Sequence, residues 1–336
     1  MRPGPLMIGR RIRDSSIRSI AGILNSGGCI RDRCWLNGKK GDVCMKEKCF
    51  WLLPQEGTDY KANLHCHTVL SDGQLTPEQI KEAYKKEGYS IVAFTDHNKY
   101  AWHKQLDDAD FMSIAALEVN VDQYPRNGQD WPEQKVYHFN FYDTRPAKRE
   151  EGAAIPLPER RYGDMEYLNG YIWRMREEGF LACYNHPYWS LQDCRDYQQL
   201  MGLWAMEIYN HGCEQEGFYG YHPQAYDEML RAGRRLCAVA ADDNHDMEPI
   251  GAVLNDSFGG YVVIRAPKLE YGAIMQALEK GHFYFSMGPR IEEAYIRDGK
   301  LVVRTSPVKK VYVRQKGRDC YRKAAGRGEQ ITEAQF

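Results

Sequence analysis

Two rhythms of apolar and polar positions run through the middle of the chain. The segments YKANLHCH, SIVAFTDHN, FMSIAALEVN and VYHFNFYD read as strands, the inner ones apolar enough to be buried on both faces. Between and after them lie stretches with helical spacing. TPEQIKEAYKKEGY predicts a helix in which Thr76 is the cap, Pro77 takes the first position, Gln79 completes a capping box and Gly88 ends the run. DMEYLNGYIWRMREEG predicts another, ending at Gly179. The strands FLACYNHP, LWAMEIYN and LCAVAADDNH follow, with the helical QAYDEMLRAG between the last two. YVVIRAP and LEYGAIMQALEKG add one more strand and helix. Such alternation implies parallel pairing and the α/β class, and roughly seven units predict a barrel.

The rhythm is different at both ends. Residues 1–56 show weak periodicity and are expected to form an irregular, poorly ordered extension. Residues 57–288 hold the barrel pattern. Residues 289–336 read as short strands joined by turns, with DGK a hairpin signal, and predict a small β appendage that is expected to be truncated.

Composition bounds the class. Hydrophobic residues make up 43% of 336 and charged residues 27%, as in a globular protein. No run of about 18 apolar residues predicts a membrane span, and SIAGIL is too short for a signal-peptide core, so a cytoplasmic location is expected. Ten scattered cysteines then read as reduced thiols. Cys29, Cys34, Cys44 and Cys49 have a wider spacing than structural zinc pairs and are read as metal-free. The net charge of −1 hides a division: residues 1–50 carry +7, residues 289–336 carry +6, and the middle carries −14. An acidic centre suits metal binding better than direct phosphate binding, because bound cations would have to invert the local field. The basic ends could attract nucleic acid, although charge runs more often lie on solvated surface.

The chemistry gathers at strand ends. In NLHCHTVLSDG, residues i and i+2 of a strand share a face, so His65 and His67 aim at one point, with Asp72 a turn away and Cys66 facing the other side. Later strands deliver Asp96 and His97, then Glu118, His138 and His186, and finally Asp242, Asp243 and His245. Parallel α/β folds gather functional groups at the C-terminal ends of strands. Buried charges and imidazoles need partners, and shared metal ions would supply them. Only one of Asp242 and Asp243 need be a ligand; Asp243 shares a side with His245 if the backbone stays extended. Asp96 is read as orienting a ligand histidine. His103, His211, His222 and His282 end no strand in this way and are read as surface or structural.

The combination of HCH, SDG, TDHN, Glu118, His138, NHP and DDNH over roughly residues 60–288 resembles the PHP family, the polymerase and histidinol phosphatase domain. The resemblance implies a distorted (β/α)7 barrel holding two or three divalent metal ions, Mn, Zn or Fe, and phosphoester hydrolysis. FYFSMGP and the β segment after it resemble small bacterial metal-dependent phosphoesterases. Carried onto this chain, the family pattern assigns His65, His67, Glu118 and Asp243 to a first metal. Glu118 would bridge to a second, held also by His138 and His186. Asp72, His97 and His245 would hold a third. Some family members carry His where this chain has Asp72, and an oxygen ligand favours a harder ion such as Mn.

The implied catalytic residues are Glu118, Asp96 and His245. A metal-bridging hydroxide near Glu118 would attack phosphorus in line, with His245 or a metal-bound water as the proton donor to the leaving group. Asn98, Lys99, Tyr209, Asn210 and Arg290 are candidate substrate contacts. The expected substrate is a phosphomonoester of a small metabolite or nucleotide, with a short oligonucleotide as the nuclease variant. The alternatives are a 5′-3′ exonuclease or nucleoside bisphosphatase, and a non-catalytic metal-binding PHP module. An adaptor run by the N-terminal cysteines and an amidohydrolase fit the motifs less well. No membrane and no obligate protein partner is expected.

Overall fold

The structure, a computed structural model, describes residues 6–9, 49–125, 130–149, 154–314 and 317–336. Two short strands come first, β1 (Leu6–Gly9) and β2 (Cys49–Trp51). Cys29, Cys34 and Cys44 lie outside the described residues, and Cys49 is the exposed first residue of β2.

The main sheet begins with β3 (Thr58–Asn63), followed by α1 (Pro77–Lys86) and β4 (Ile91–Phe94). The start of α1 follows its sequence signals. Thr76 accepts from the Gln79 amide, the Gln79 side chain answers the Thr76 amide, and Pro77 needs no partner for a missing N–H. Ile80 and Tyr84 bury its inner face against Cys66, Val92 and Phe94. Each such side chain is worth about 1.5–3 kcal/mol of apolar burial.

Next come β5 (Met112–Asp122), β6 (Val136–Asp143), α2 (Met165–Glu177) and β7 (Phe180–Tyr184). The short α3 (Cys194–Tyr197), then β8 (Ala205–Asn210), α4 (His211–Gln215), α5 (Pro223–Arg231) and β9 (Cys237–Ala241) complete the run. β10 (Tyr261–Ala266), α6 (Tyr271–Lys280) and β11 (Phe283–Ser286) close it. These strands form one nine-stranded sheet in the order β11-β10-β3-β4-β5-β6-β7-β8-β9. β9 lies against β10 and β11, so the sheet nearly closes into a distorted barrel. Helices α2, α5 and α6 pack on it through one continuous apolar core.

Pairing is not parallel throughout. β3-β4-β5 and β7-β8-β9 are parallel, but β6 runs antiparallel to both β5 and β7, and β10 runs antiparallel to β3 and β11. Among the described residues, only a short 3-10 turn (Trp131–Glu133) stands between β5 and β6, and the two strands pair antiparallel.

A second unit packs on the outside of β10 and β11. β12 (Ile291–Arg297), β13 (Lys300–Val308) and β16 (Ile331–Gln335) form a sheet with β2, while β14 (Lys310–Arg314) and β15 (Cys320–Ala324) pair as a hairpin beside β1. The predicted DGK turn joins β12 to β13, with Asp298 and Gly299 both at positive φ. Residues 49–56 fall with this unit rather than with the extension. β2 pairs with β12, and Leu52 and Leu53 join Ile291, Val303 and Ile331 in one core with Val263 and Tyr284 of the barrel. Arg265 pins the two units together. It grips Asp59 at 2.6 and 2.7 Å and donates to the Pro54 and Glu292 carbonyls at 3.2 and 3.1 Å.

Two glycines test this packing in opposite directions. A Cβ on Gly260 would meet the Ala241 carbonyl oxygen at 2.5 Å, whereas one on exposed Gly170, inside α2, would meet nothing within 4 Å. Gly260→Ala is expected to cost about 1–3 kcal/mol, and Gly170→Ala to add about 0.5–1 kcal/mol. Urea unfolding of the two variants measures both.

Candidate metal centre

The rim where β3, β4, β7 and β9 end carries the polar cluster. His65 and His67 follow β3 on backbone that stays extended, because the His67 amide donates to the Asn244 carbonyl and the Asp243 amide to that of His65. Their Nε2 atoms stand 3.2 Å apart. Cys66, between them, turns to the α1 side as expected. His97 follows β4, His186 follows β7, and Asp243 follows β9. Glu118 sits inside β5, and His138 lies near the start of β6, not at a strand's end. Because β6 is reversed, its first residues reach the same rim, and His138 pairs with Asn120.

Glu118 is the hub. Its Oε1 lies 3.3 Å from His65 Nε2, 3.2 Å from His138 Nδ1 and 3.5 Å from His186 Nε2; its Oε2 lies 3.4 Å from His67 Nε2 and 3.1 Å from His97 Nδ1. Asp243 Oδ1 stands 3.0 Å from the Nε2 atoms of both His65 and His67. The residues form three groups with donor atoms mutually within 4.8 Å: His65, His67, Glu118 and Asp243; His97, Glu118 and His138; and His67, Asp72, His97 and His245. His97 therefore faces both Glu118 and Asp72. His186 lies beside the first group, 3.6 Å from Asp243 Oδ2.

These donor sets fit divalent cations. Glu118 Oε2 and His138 Nδ1 are buried and make no hydrogen bond, although ring nitrogens and carboxylate oxygens crowd around them. Lone pairs facing one another in a dry pocket need a cation between them. Imidazole with carboxylate suits Zn, Fe and Mn alike.

Neighbouring residues hold the ligands. Glu207, which no sequence motif singles out, accepts from His65 Nδ1 at 2.9 Å, from the His186 amide at 3.2 Å and from Asn210 Nδ2 at 2.8 Å. Its one signal is a lone carboxylate within the apolar run LWAMEIYN. Asn185 donates to Glu118 Oε1 at 2.7 Å. Asn210 donates to Asp243 Oδ2 at 2.9 Å and caps α4 through Cys213.

Charge in the pocket is set by its neighbours. Burial alone would lower His65 and His67, but Asp243 and Glu118 prevail. His65 stands well above its usual range, with Glu207 helping, and His67 is raised to about 9. Burial lowers His97 to about 3, against the pull of Glu118. Burial would raise Glu118 and Asp243, yet the surrounding histidines hold both well below the ordinary carboxylate range. Asp72, half exposed, is likewise held low by His245, His97 and His67 against its desolvation.

Several expected roles change. Asp96 touches no ligand histidine directly. It accepts from the Thr68 and Ser71 amides at 2.8 and 3.1 Å and from the Ser71 hydroxyl at 2.7 Å, and that hydroxyl lies 3.4 Å from His67 Nδ1. Asp96 thus acts on His67 one residue removed. Asp242 faces away from the site, taking the amides of Phe258, Gly259 and Gly260 and the Tyr84 hydroxyl, and burial raises it to about 7. Asp243 has φ +55°, so it reaches the centre through a left-handed kink and not along an extended run to His245. Asn210 is fully buried and its amide is spent on Glu207, Asp243 and Cys213, so it is not free to meet substrate. Tyr209 is buried against His211. Asn98 is tied to Asn120 and Lys99 to the Leu70 carbonyl, both beside the rim. Arg290 lies in the link to the outer unit, its amide on Ser306, and contacts no ligand among the described residues. His103, His211, His222 and His282 join none of the three groups.

Comparison with known proteins agrees with this centre. The PHP domain family matches residues 63–285. A 5′-3′ exoribonuclease from Haemophilus influenzae is 36% identical over 62 residues, which is 18% of this chain and 20% of that protein, so the chain matches only about a fifth of its curated relative. A solved two-domain protein from Bacteroides vulgatus, described as containing a predicted PHP-like metal-dependent phosphoesterase, covers 83% of this chain and 90% of its own at 16% identity and a TM-score of 0.43. The domain match extends over more than half of the chain and takes in every residue of the His, Glu and Asp cluster: the chain belongs to the PHP domain family.

Proposed function

We propose that this protein is a metal-dependent phosphoesterase that hydrolyses a phosphomonoester of a small metabolite or nucleotide. The observation that carries the reading is the buried Glu118 carboxylate, ringed by five imidazoles with nitrogens 3.1–3.5 Å from its oxygens, while its Oε2 and His138 Nδ1 make no hydrogen bond. His65, His67, Glu118, His138, His186 and Asp243 would hold the inner ions, and Asp72, His97 and His245 an outer one. Bound divalent ions would supply Lewis acidity, lowering the pKa of water and neutralising phosphate oxygens.

The chain's own residues set direction and protonation. His65 and Glu118 are sealed, whereas the side chains of His97, His245 and Asp72 are 25%, 24% and 53% exposed. Substrate therefore approaches from the Asp72 side. His245 Nδ1 faces the Asp243 carbonyl at 3.1 Å, an oxygen that only accepts, so this nitrogen carries a proton and Nε2 is the nitrogen turned toward Asp72 and open to an outer ion. That arrangement suits a ligand, which leaves solvent to protonate the leaving oxygen. Glu118, held ionised, acts through its charge and not as a base. Lys99 and Asn98, beside the rim, remain the candidate substrate contacts.

Three outcomes are expected. Mn-loaded protein should release phosphate from a phosphomonoester, and His67→Ala should lose that activity together with bound metal; an active, metal-free variant would refute the assignment. Proton and cation compete for His67, which is raised to about 9. Apparent metal affinity should therefore climb about tenfold per pH unit for each proton displaced, up to that pH, then level off. Calorimetry in buffers of different ionisation heat measures the released protons, and a flat profile would contradict it. Glu207→Gln removes the charge beside His65 and turns an NH2 toward a donor on one side; metal affinity should fall about 10–100-fold, at a stability cost of about 1–3 kcal/mol that the metal-free variant shows as well.

A further inference from the structure

The β14–β15 hairpin carries a positive charge that carboxylates answer only in part among the described residues. From Lys309 to Arg327 the sequence holds eight Lys/Arg against one Asp, in a chain of net charge −1. Elsewhere cations meet carboxylates, as Arg304 meets Glu293 and Glu333 and Arg265 meets Asp59. On the hairpin, Lys309 and Lys323 donate to the backbone carbonyls of Glu329 and Glu333, and Lys323 adds a weak pull on the Glu333 carboxylate, which Arg304 already holds. Arg314 stands 3.8 Å from Asp227, and the side chains of Lys310, Arg318, Arg322 and Arg327 meet no carboxylate among the described residues. All five residues of β15 are exposed. Val311 and Val313 point into the core, so alternation puts Lys310, Tyr312 and Arg314 on the outer face. There Arg322 pairs across from Tyr312.

The hairpin also lies at the start of a path to the metal centre. Asp227 belongs to α5, and Arg314 is near enough to the Tyr221 hydroxyl to favour its ionisation against the burial that raises it. Tyr221 bridges to Tyr209, next to the Asn210 that holds Asp243. Two residues back, Tyr219 is 71% exposed, and its ring lies 5.0 Å from that of the exposed Tyr188. Trp189 follows, packed on the His138 and His186 rings at 5.7 and 5.2 Å. Unneutralised cations followed by exposed aromatic faces match a chain that alternates phosphates with flat bases. The hairpin is outside the residues matched by the PHP domain family, 63–285.

We propose that the β14–β15 hairpin is a docking surface for single-stranded nucleic acid, which runs past Tyr219 and Tyr188 toward the metal centre. The functional sense of this surface rests on the phosphoesterase reading, to which it adds a polynucleotide as the substrate class. Phosphates lie along Lys310, Arg314, Arg318, Arg322 and Arg327, and unstacked bases lie on the tyrosines.

The test is fluorescence anisotropy with a labelled, hydrolysis-resistant phosphorothioate oligonucleotide and the metal-loaded full chain. Affinity should fall steeply with salt. The combined variant Lys310→Gln, Arg318→Gln, Arg322→Gln, Arg327→Gln, all at exposed positions, should bind about tenfold or more weakly at low salt, with a slope shallower by about 0.7 for each phosphate that is no longer neutralised. Tyr219→Ser should weaken binding without changing the slope, because stacking is not ionic. Parent-like affinity in the combined variant, salt-independent binding, or equal affinity for duplex would each overturn the proposal. Phosphate release from a mononucleotide, followed in parallel, separates the two readings. A parent that cleaves the mononucleotide but ignores the oligonucleotide refutes the docking surface alone. A parent that binds the oligonucleotide but hydrolyses nothing refutes the hydrolytic reading alone.

Discussion

The centre of the molecule is organised by the cost of keeping Glu118 and Asp243 ionised out of water. Both are held by histidines, and both are buried at the barrel rim. An isolated carboxylate there would be far too costly. Without metal, the compensation is protonation of His65 and His67, which these carboxylates push upward. With metal, the same lone pairs close on cations. The pocket is thus satisfied by positive charge in either form, and the hydrogen bonds that Asn185 and Asn210 donate and that Glu207 accepts from His65 keep the ligands aimed inward in both.

That demand explains which parts of the site could be read from the chain and which could not. Strand periodicity alone puts His65 and His67 together, because i and i+2 share a face wherever the backbone is extended. It fails at Asp243, where a left-handed residue breaks the extension, and the ligand reaches the centre by a kink. It locates His138 on the correct strand but in the wrong sense, since only the tertiary pairing reveals that β6 is reversed. Asp96 serves the purpose expected of it by a different route: Ser71 stands between it and His67, and a hydroxyl relay leaves no mark in spacing. Glu207 is legible in principle, as a charge stranded in an apolar strand that must find a partner. Asn185 is not, because an amide is equally at home on a surface loop, and Asn210, placed near the site by its strand end, is read as a substrate contact when it in fact holds Glu207 and Asp243.

The fold follows local rules where those rules suffice. The capping box of α1 and the Asp298–Gly299 turn form as their residues require. Assigning residues 49–56 to the extension fails for a different reason. Leu52 and Leu53 have no periodic context of their own, and their burial depends on strands nearly the whole chain away. Long-range pairing of this kind carries no local signature. Arg265 shows the same thing in polar form, joining Asp59, Pro54 and Glu292 from three separate segments.

Charge is divided along the chain in a way that these two layers of structure make intelligible. The barrel segment is strongly acidic, and its acids at the rim converge on a point that attracts cations and repels phosphate. On the proposed reading, a phosphorylated substrate would be repelled until cations are loaded, so metal binding and substrate binding would be coupled through the field itself. The cationic hairpin sits in the outer unit, away from the ligands, and its side chains are not drawn into ion pairs with the rim carboxylates. Had those arginines stood among the ligands, they would have satisfied Glu118 and Asp243 directly and removed the reason for a metal. Separating the two signs of charge lets one end of the molecule bind cations while the other remains free to meet an anion.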